Sequence, residues 1–166
     1  MQRARKVFFV IGIVAVGLFG LMQFARTPHD NPRTIPSQTI FAETSMPPDV
    51  KAYIGSACRD CHTHDTVWRF YSNFAPVLWL QSADVWAGRF HMDLSRWSQY
   101  TPAQKDDRLK GICDLVRKGK MPLWYYKPLH PDTWFPSGTL IDHLCAWTEA
   151  ERKKLGAPPA AGRPEM

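Results

Sequence analysis

The sequence predicts an all-α protein: a small helical domain behind a single N-terminal transmembrane helix. Three observations lead there. Residues 7–24 read VFFVIGIVAVGLFGLMQF without a charge, long enough to cross the hydrocarbon of a bilayer. Beyond residue 48, apolar residues recur at helical spacing between Pro, Gly and capping residues. Alternating strand patterns are almost absent.

The N-terminal span, taken as residues 1–25, is preceded by Arg3, Arg5 and Lys6 and followed closely only by Arg26. The positive-inside rule then puts the N-terminus in the cytoplasm and the rest outside. The expected location is the inner (cytoplasmic) membrane, single-pass, with the domain on the periplasmic or outer side. A cleaved signal peptide is the competing reading, but cleavage after Ala25 would put Gln23 where a small residue is wanted. Residues 26–48 contain Pro28, Pro32, Pro36, Pro47 and Pro48 among Thr, Ser and Asn. They read as an extended, semi-rigid linker.

The domain spans residues 49–156. Asp49 is the expected cap of a first helix carrying Val50, Tyr53, Ile54, Ala57 and Cys61 at helical spacing. An aromatic stretch, Trp68, Phe70, Tyr71 and Phe74, ends at Pro76. A second helix runs from near Pro76 to Gly88, and residues 90–100 read as irregular. Thr101-Pro102-Ala103-Gln104 is a helix start, with Thr101 as cap, Pro102 at the first position and Gln104 completing a capping box. Leu109, Ile112, Cys113 and Val116 form its apolar face, and Gly119 ends it. A Pro-rich aromatic loop over residues 121–136 leads to a last helix near 137–155, with Leu140, Ile141, Leu144, Cys145 and Thr148 on one side. Residues 157–166 form a flexible tail.

The net charge of +6 falls to +3 without Arg3, Arg5 and Lys6, since 18 basic residues then face 15 acidic ones. Those that remain are scattered, which leaves no nucleic-acid footprint.

Cys58-Arg59-Asp60-Cys61-His62 is a C-x-x-C-H run, the signature of c-type haem attachment. Two thiols a helical turn apart suit thioether bonds to the two vinyl groups of one haem, and the adjacent imidazole suits its iron. A thioredoxin-like pair needs a βαβ pattern that is missing. A zinc site with His64 would need a second pair of similar spacing. A Cys58–Cys61 disulfide is the third alternative. The expectation is one covalent haem c in a cytochrome c-like domain, bound through Cys58 and Cys61, with His62 as one iron ligand.

Met121, followed by Pro122 in the loop between two helices, is the expected sixth ligand. His130 is its main rival, ahead of His91, Met92, His64 and His143. Cys113 and Cys145 each lie on the apolar face of a helix and suit a disulfide in an oxidising compartment, worth about 3–4 kcal/mol in the chain-entropy model. Two buried free thiols are the alternative. Trp68, Tyr71, Trp79, Trp86, Trp97, Trp124, Tyr125 and Trp134 read as core and pocket packing, and some of these Trp or Tyr groups, or Arg69 and Arg89, as partners for haem propionates.

From about Asn31 onward the chain resembles a bacterial family of haem-binding domain proteins. The resemblance rests on Asn31-Pro32, on CRDCHTHDTVWRFYSNFAPVLWL from Cys58 to Leu80, on Gly88-Arg89, and on Leu94-Ser95-Arg96-Trp97. It continues through Met121-Pro122, Tyr126, His130-Pro131 and Leu144-Cys145-Ala146-Trp147. The family usually carries Trp-Pro-Trp-Tyr-Ser where this chain has Trp68-Arg69-Phe70-Tyr71-Ser72. The resemblance implies a single c-type haem, export and an N-terminal anchor. The expected function is single-electron transfer between redox partner proteins at the membrane, without enzymatic activity. A haem enzyme or gas sensor with an open or displaceable sixth iron position is the alternative.

Overall fold

The structure is a computed structural model and describes residues 2–130 and 136–156. Seven α-helices occur among them, with no β-strand: α1 Gln2–Met22, α2 Ile40–Glu43, α3 Pro48–Ala57, α4 Arg59–His62, α5 Val77–His91, α6 Pro102–Arg117 and α7 Gly138–Lys154. Short 3-10 turns at Pro36–Gln38, Phe70–Asn73, Leu94–Gln99 and Lys127–Leu129 complete the chain. Trp134 and the tail 157–166 lie outside the described residues.

Helix α1 has a mean hydropathy of 2.0 over its most apolar window and buries none of it in the protein. A helix apolar all round with no protein against it is suited to lipid. The domain core gathers Ile40, Val50, Ile54, Leu94, Trp97, Leu109, Ile112, Val116, Leu144 and Trp147. Helices α6 and α7 pack most extensively against each other, α3 lies on α7, and α4 on α5. The disulfide Cys113–Cys145 joins α6 to α7, with Cα atoms 4.9 Å apart.

Local chemistry explains several helix ends. The Thr101 hydroxyl accepts from Gln104 N–H at 3.3 Å while the Gln104 side chain accepts from Thr101 N–H at 3.0 Å, the reciprocal capping box. Ser137 caps α7 by accepting from Leu140 N–H at 3.1 Å. Gly119 takes φ +65° just past α6, a conformation open to glycine at no steric penalty.

Three readings from sequence are corrected. Asp49 does not cap the first helix: α3 begins at Pro48 after Pro47, and the Asp49 carboxylate instead pairs with His143 at 2.7 Å. Gly88 does not end the second helix, since α5 continues to His91. A Cβ at Gly88 would overlap the Cys61 carbonyl oxygen and lie 2.8 Å from its carbon, so this glycine permits close approach of two backbones. The stretch 90–100 is ordered, with Asp93 accepting from Ser95 N–H at 2.9 Å to start the turn Leu94–Gln99.

Residues 26–48 are also more than a linker. They form a strap laid on the domain. Arg89 donates to the Asp30 carbonyl at 2.8 Å and to the Asn31 side chain at 3.2 Å. His29 stacks on Trp68 at 4.2 Å. Ile40 is fully buried in the core. Pro-rich composition lowers the entropy lost on ordering, and Ile40 and these polar contacts together hold the segment down. Ile40→Ala is expected to destabilise the whole domain by about 3 kcal/mol. Chemical denaturation checks this, and an unchanged midpoint would mean that the strap is loose.

Candidate haem site

One cavity of about 550 Å³ opens between α3, α4, α5, α6 and the segment 121–126. Its size falls in the range of cofactor sites, roughly 300–1,000 Å³. Cys58, Cys61, His62 and Met121 all line it. The C-x-x-C-H run forms the bend between α3 and α4: Cys58 leaves helical geometry at φ −112° and ψ −20°, and α4 begins at Arg59. Both thiols are free, unbonded to each other or to Cys113 and Cys145. Burial pushes each up to about 12, so both are neutral thiols at pH 7.

His62 Nδ1 lies 2.9 Å from the Met92 carbonyl oxygen. A carbonyl only accepts, so Nδ1 carries the hydrogen and Nε2 carries the free lone pair. Burial lowers the pKa of this imidazole, which keeps it neutral. This is the tautomer and charge state that a metal-ligating histidine needs.

The cavity walls come from two helical faces. Asp84, Ala87, Gly88 and His91 lie at positions i, i+3, i+4 and i+7 of α5, and Arg108, Gly111, Ile112 and Leu115 repeat that spacing on α6. Ala57, Ala87, Gly88 and Gly111 are small, which leaves the slot wide. Two buried polar atoms on residues of this lining have no hydrogen-bond partner: the Tyr53 hydroxyl and Arg108 Nε. A buried polar group without a partner is unfavourable by about 1–3 kcal/mol. Both are donors that the carboxylates of haem propionates would accept from. The residues present therefore fit a haem: two reduced thiols, one neutral imidazole, apolar walls, and an orphaned hydroxyl and guanidinium nitrogen.

The rival ligands are placed differently. His130 is buried and absent from the lining of this cavity. Its Nδ1 donates to the Tyr126 carbonyl at 2.9 Å, and its Nε2 meets Arg69 Nε and the Tyr71 hydroxyl at 3.2 Å each. Its ring stacks on Tyr126 at 3.6 Å. The buried carboxylate of Asp60 accepts from the Tyr126 hydroxyl at 3.0 Å and from Val67 N–H at 3.1 Å, tying this cluster to the back of the motif. The alternative sixth ligand His130 thus serves as a strut, with both ring nitrogens engaged. His64 is absent from the lining of this cavity, with its Nε2 at Asp93, 2.8 Å away, and no group of three or more Cys, His, Asp or Glu side chains placed to hold a zinc ion occurs among the described residues. Met92 also lines the cavity, and its carbonyl accepts from His62 Nδ1. His143 pairs with Asp49. Of the five rivals, Met92 and the exposed His91 share the cavity with Met121.

Neither arginine expected to meet propionates is part of the cavity lining. Arg69 bonds His130, and Arg89 donates to the Thr63 carbonyl and the Thr66 hydroxyl at 2.9 Å each, clamping strap to motif. Of the aromatics expected in the pocket, Tyr125 lines it, donating to Asp84 at 2.9 Å. Trp97 is core, while Trp86 and Trp124 are exposed. Tyr53 and Arg108 are the residues that sequence reasoning passed over. Their signal was the spacing of Arg108 with Gly111, Ile112 and Leu115, which puts a cation on the inward face of α6.

Fold and cavity define an all-α protein with a haem-sized pocket built around a C-x-x-C-H bend. The chain belongs to the haem-binding domain family, whose model matches residues 17–150. That match begins inside α1 and includes the whole strap, in keeping with a strap that is part of the folded unit. Comparison with curated proteins and with solved structures returned no match.

Proposed function

We propose that this chain is an exported, membrane-tethered c-type cytochrome that passes single electrons between redox partners at the membrane. One observation carries the reading: Cys58, Cys61 and His62 line the same apolar cavity as Met121, with both thiols reduced and His62 in the ligating tautomer. Haem, when bound, supplies a one-electron couple at its iron. Cys58 and Cys61 hold it covalently, His62 and Met121 ligate it, and Tyr53 and Arg108 bind its carboxylates. The enclosing faces of α5 and α6 exclude water. A site closed by two protein ligands suits electron transfer rather than substrate turnover, so the chain is read as a carrier and not an enzyme. Export is supported by the Cys113–Cys145 disulfide, a bond that persists in oxidising compartments, and tethering by α1.

The test is attachment. The haem is expected to remain on the polypeptide through acid–acetone extraction and denaturing electrophoresis. Cys58→Ala and Cys61→Ala should each impair this, and the double variant should abolish it. Holoprotein that yields zinc and no iron, or that loses all its haem on extraction, overturns the covalent reading. A second reading, a haem enzyme or gas sensor, is favoured by His91 at the rim, where an imidazole could act as acid or base.

A further inference from the structure

The end of α1 is docked onto the domain. The Gln23 side chain accepts from Ala75 N–H at 2.9 Å and donates to the Ala75 carbonyl at 3.2 Å. Trp79 Nε1 donates to the Ala25 carbonyl at 2.7 Å, and Arg26 to the Asn73 carbonyl at 2.9 Å. Thr27 and Ser82 share a hydrogen bond at 2.6 Å. No slack separates the helix from the segment 73–82. Around these contacts stand five exposed apolar side chains: Phe24, Phe70, Phe74, Val77 and Leu80. Phe70 and Phe24 expose 79% and 85% of their surface, unusual for rings beside a docked element.

The geometry points to this collar as a membrane-docking face, which seats the haem domain on the lipid interface in one orientation. The inference rests on the reading of α1 as an anchor. Its 21 residues, Gln2–Met22, are about 32 Å long at 1.5 Å per residue, close to the ~30 Å of hydrocarbon. With Arg3, Arg5 and Lys6 held at one interface, the uncharged stretch that runs on to Phe24 reaches the other. The other end carries residues 23–27, and with them the collar. Rings there occupy the headgroup level, where aromatic side chains are favoured. The pair of hydrogen bonds to Ala75 fits the same level, because it satisfies the Gln23 amide inside the protein where water is scarce. Helix α5 then links the collar to the site. Its start at Val77 lies in the collar, and Gly88 on the cavity wall is about 16 Å further along the axis. The haem site would be held at a set height above the bilayer, in contrast to a carrier roaming on a tether.

Photo-crosslinking tests this on the full-length holoprotein in vesicles of phosphatidylethanolamine and phosphatidylglycerol. p-Benzoylphenylalanine replaces Phe70, Phe74, Leu80, Phe19 within α1, or exposed Trp124, in separate variants. All five side chains are exposed, and retention of the haem absorbance confirms folding. After irradiation, mass spectrometry should find lipid adducts at 70, 74, 80 and 19 and none at 124. Adducts at 19 alone, protein–protein adducts at the collar, or equal yields at 124 and the collar each overturn the docking face and leave the anchor standing. No adduct at 19 overturns the anchor reading, and the docking face with it.

Discussion

Met121→Ala is expected to abolish the weak long-wavelength sulfur-to-iron band of the oxidised protein, convert the haem to high spin and open it to carbon monoxide. The reduction potential should fall, on the order of 100 mV within the ~0.8 V span that axial ligation commands. The structural basis is placement: Met121 lines the cavity that Cys58, Cys61 and His62 line, and His130 and His64 do not. His130 has both ring nitrogens engaged by Tyr126, Arg69 and Tyr71. His64 has its Nε2 at Asp93. Met121 packs against the core and lines the cavity. A fixed thioether lets the iron change oxidation state with little change in coordination, as a carrier requires. Met121→His should close the site again, low spin, at a lower potential than wild type. His130→Ala should leave the spectrum low spin, while loosening the cluster behind Asp60. If instead wild type is already high spin and binds carbon monoxide readily, His91 becomes a distal group and the enzyme or sensor reading moves ahead.

Among the glycines of the described residues, Gly88 is where an added methyl, as in Gly88→Ala, should disturb folding most. The new Cβ would fall on the backbone of Cys61, within 3.0 Å of its carbonyl carbon and Cβ. Neither neighbour is the end of a flexible side chain, so α5 and α4 must part. Overpacking of this kind destabilises by about 1–3 kcal/mol, and the upper end is expected because both partners are backbone. The displacement also shifts His62, whose imidazole is held by Met92 just past the end of α5. Denaturation should show the loss of stability, and haem loading should fall although both cysteines and His62 are intact. Gly55→Ala is the control. A Cβ there meets nothing within 4 Å, so better helix propensity should leave α3 unchanged or up to about 1 kcal/mol more stable. Equal effects at the two glycines would remove the argument for close approach.

What the sequence by itself determined is what short-range chemistry dictates. Helical spacing, the Thr101–Gln104 box and Gly119 set the start and end of α6, because caps and left-handed glycines act within a few residues. The pairing of Cys113 with Cys145 was legible as one of two options, since each lies on the apolar face of a regular helix and the helices must bury those faces. The cavity's ligand wall was legible for the same reason, as the C-x-x-C-H run carries its chemistry in consecutive positions.

Only the tertiary structure decided the rest, and in each case the deciding contact is distant along the chain. Composition made residues 26–48 a linker, but Ile40 enters the core and Arg89 grips Asp30 and Asn31 from α5. Gly88 read as a helix end because glycine is locally a breaker, whereas its role comes from a carbonyl on another helix. His130 was a plausible ligand by type, and its partners Arg69 and Tyr71 lie some sixty positions earlier. Tyr53 and Arg108 gain their meaning from a void that exists only once α3, α5 and α6 have packed. Spacing along a chain reports which side chains share a face, and only packing reports what that face meets.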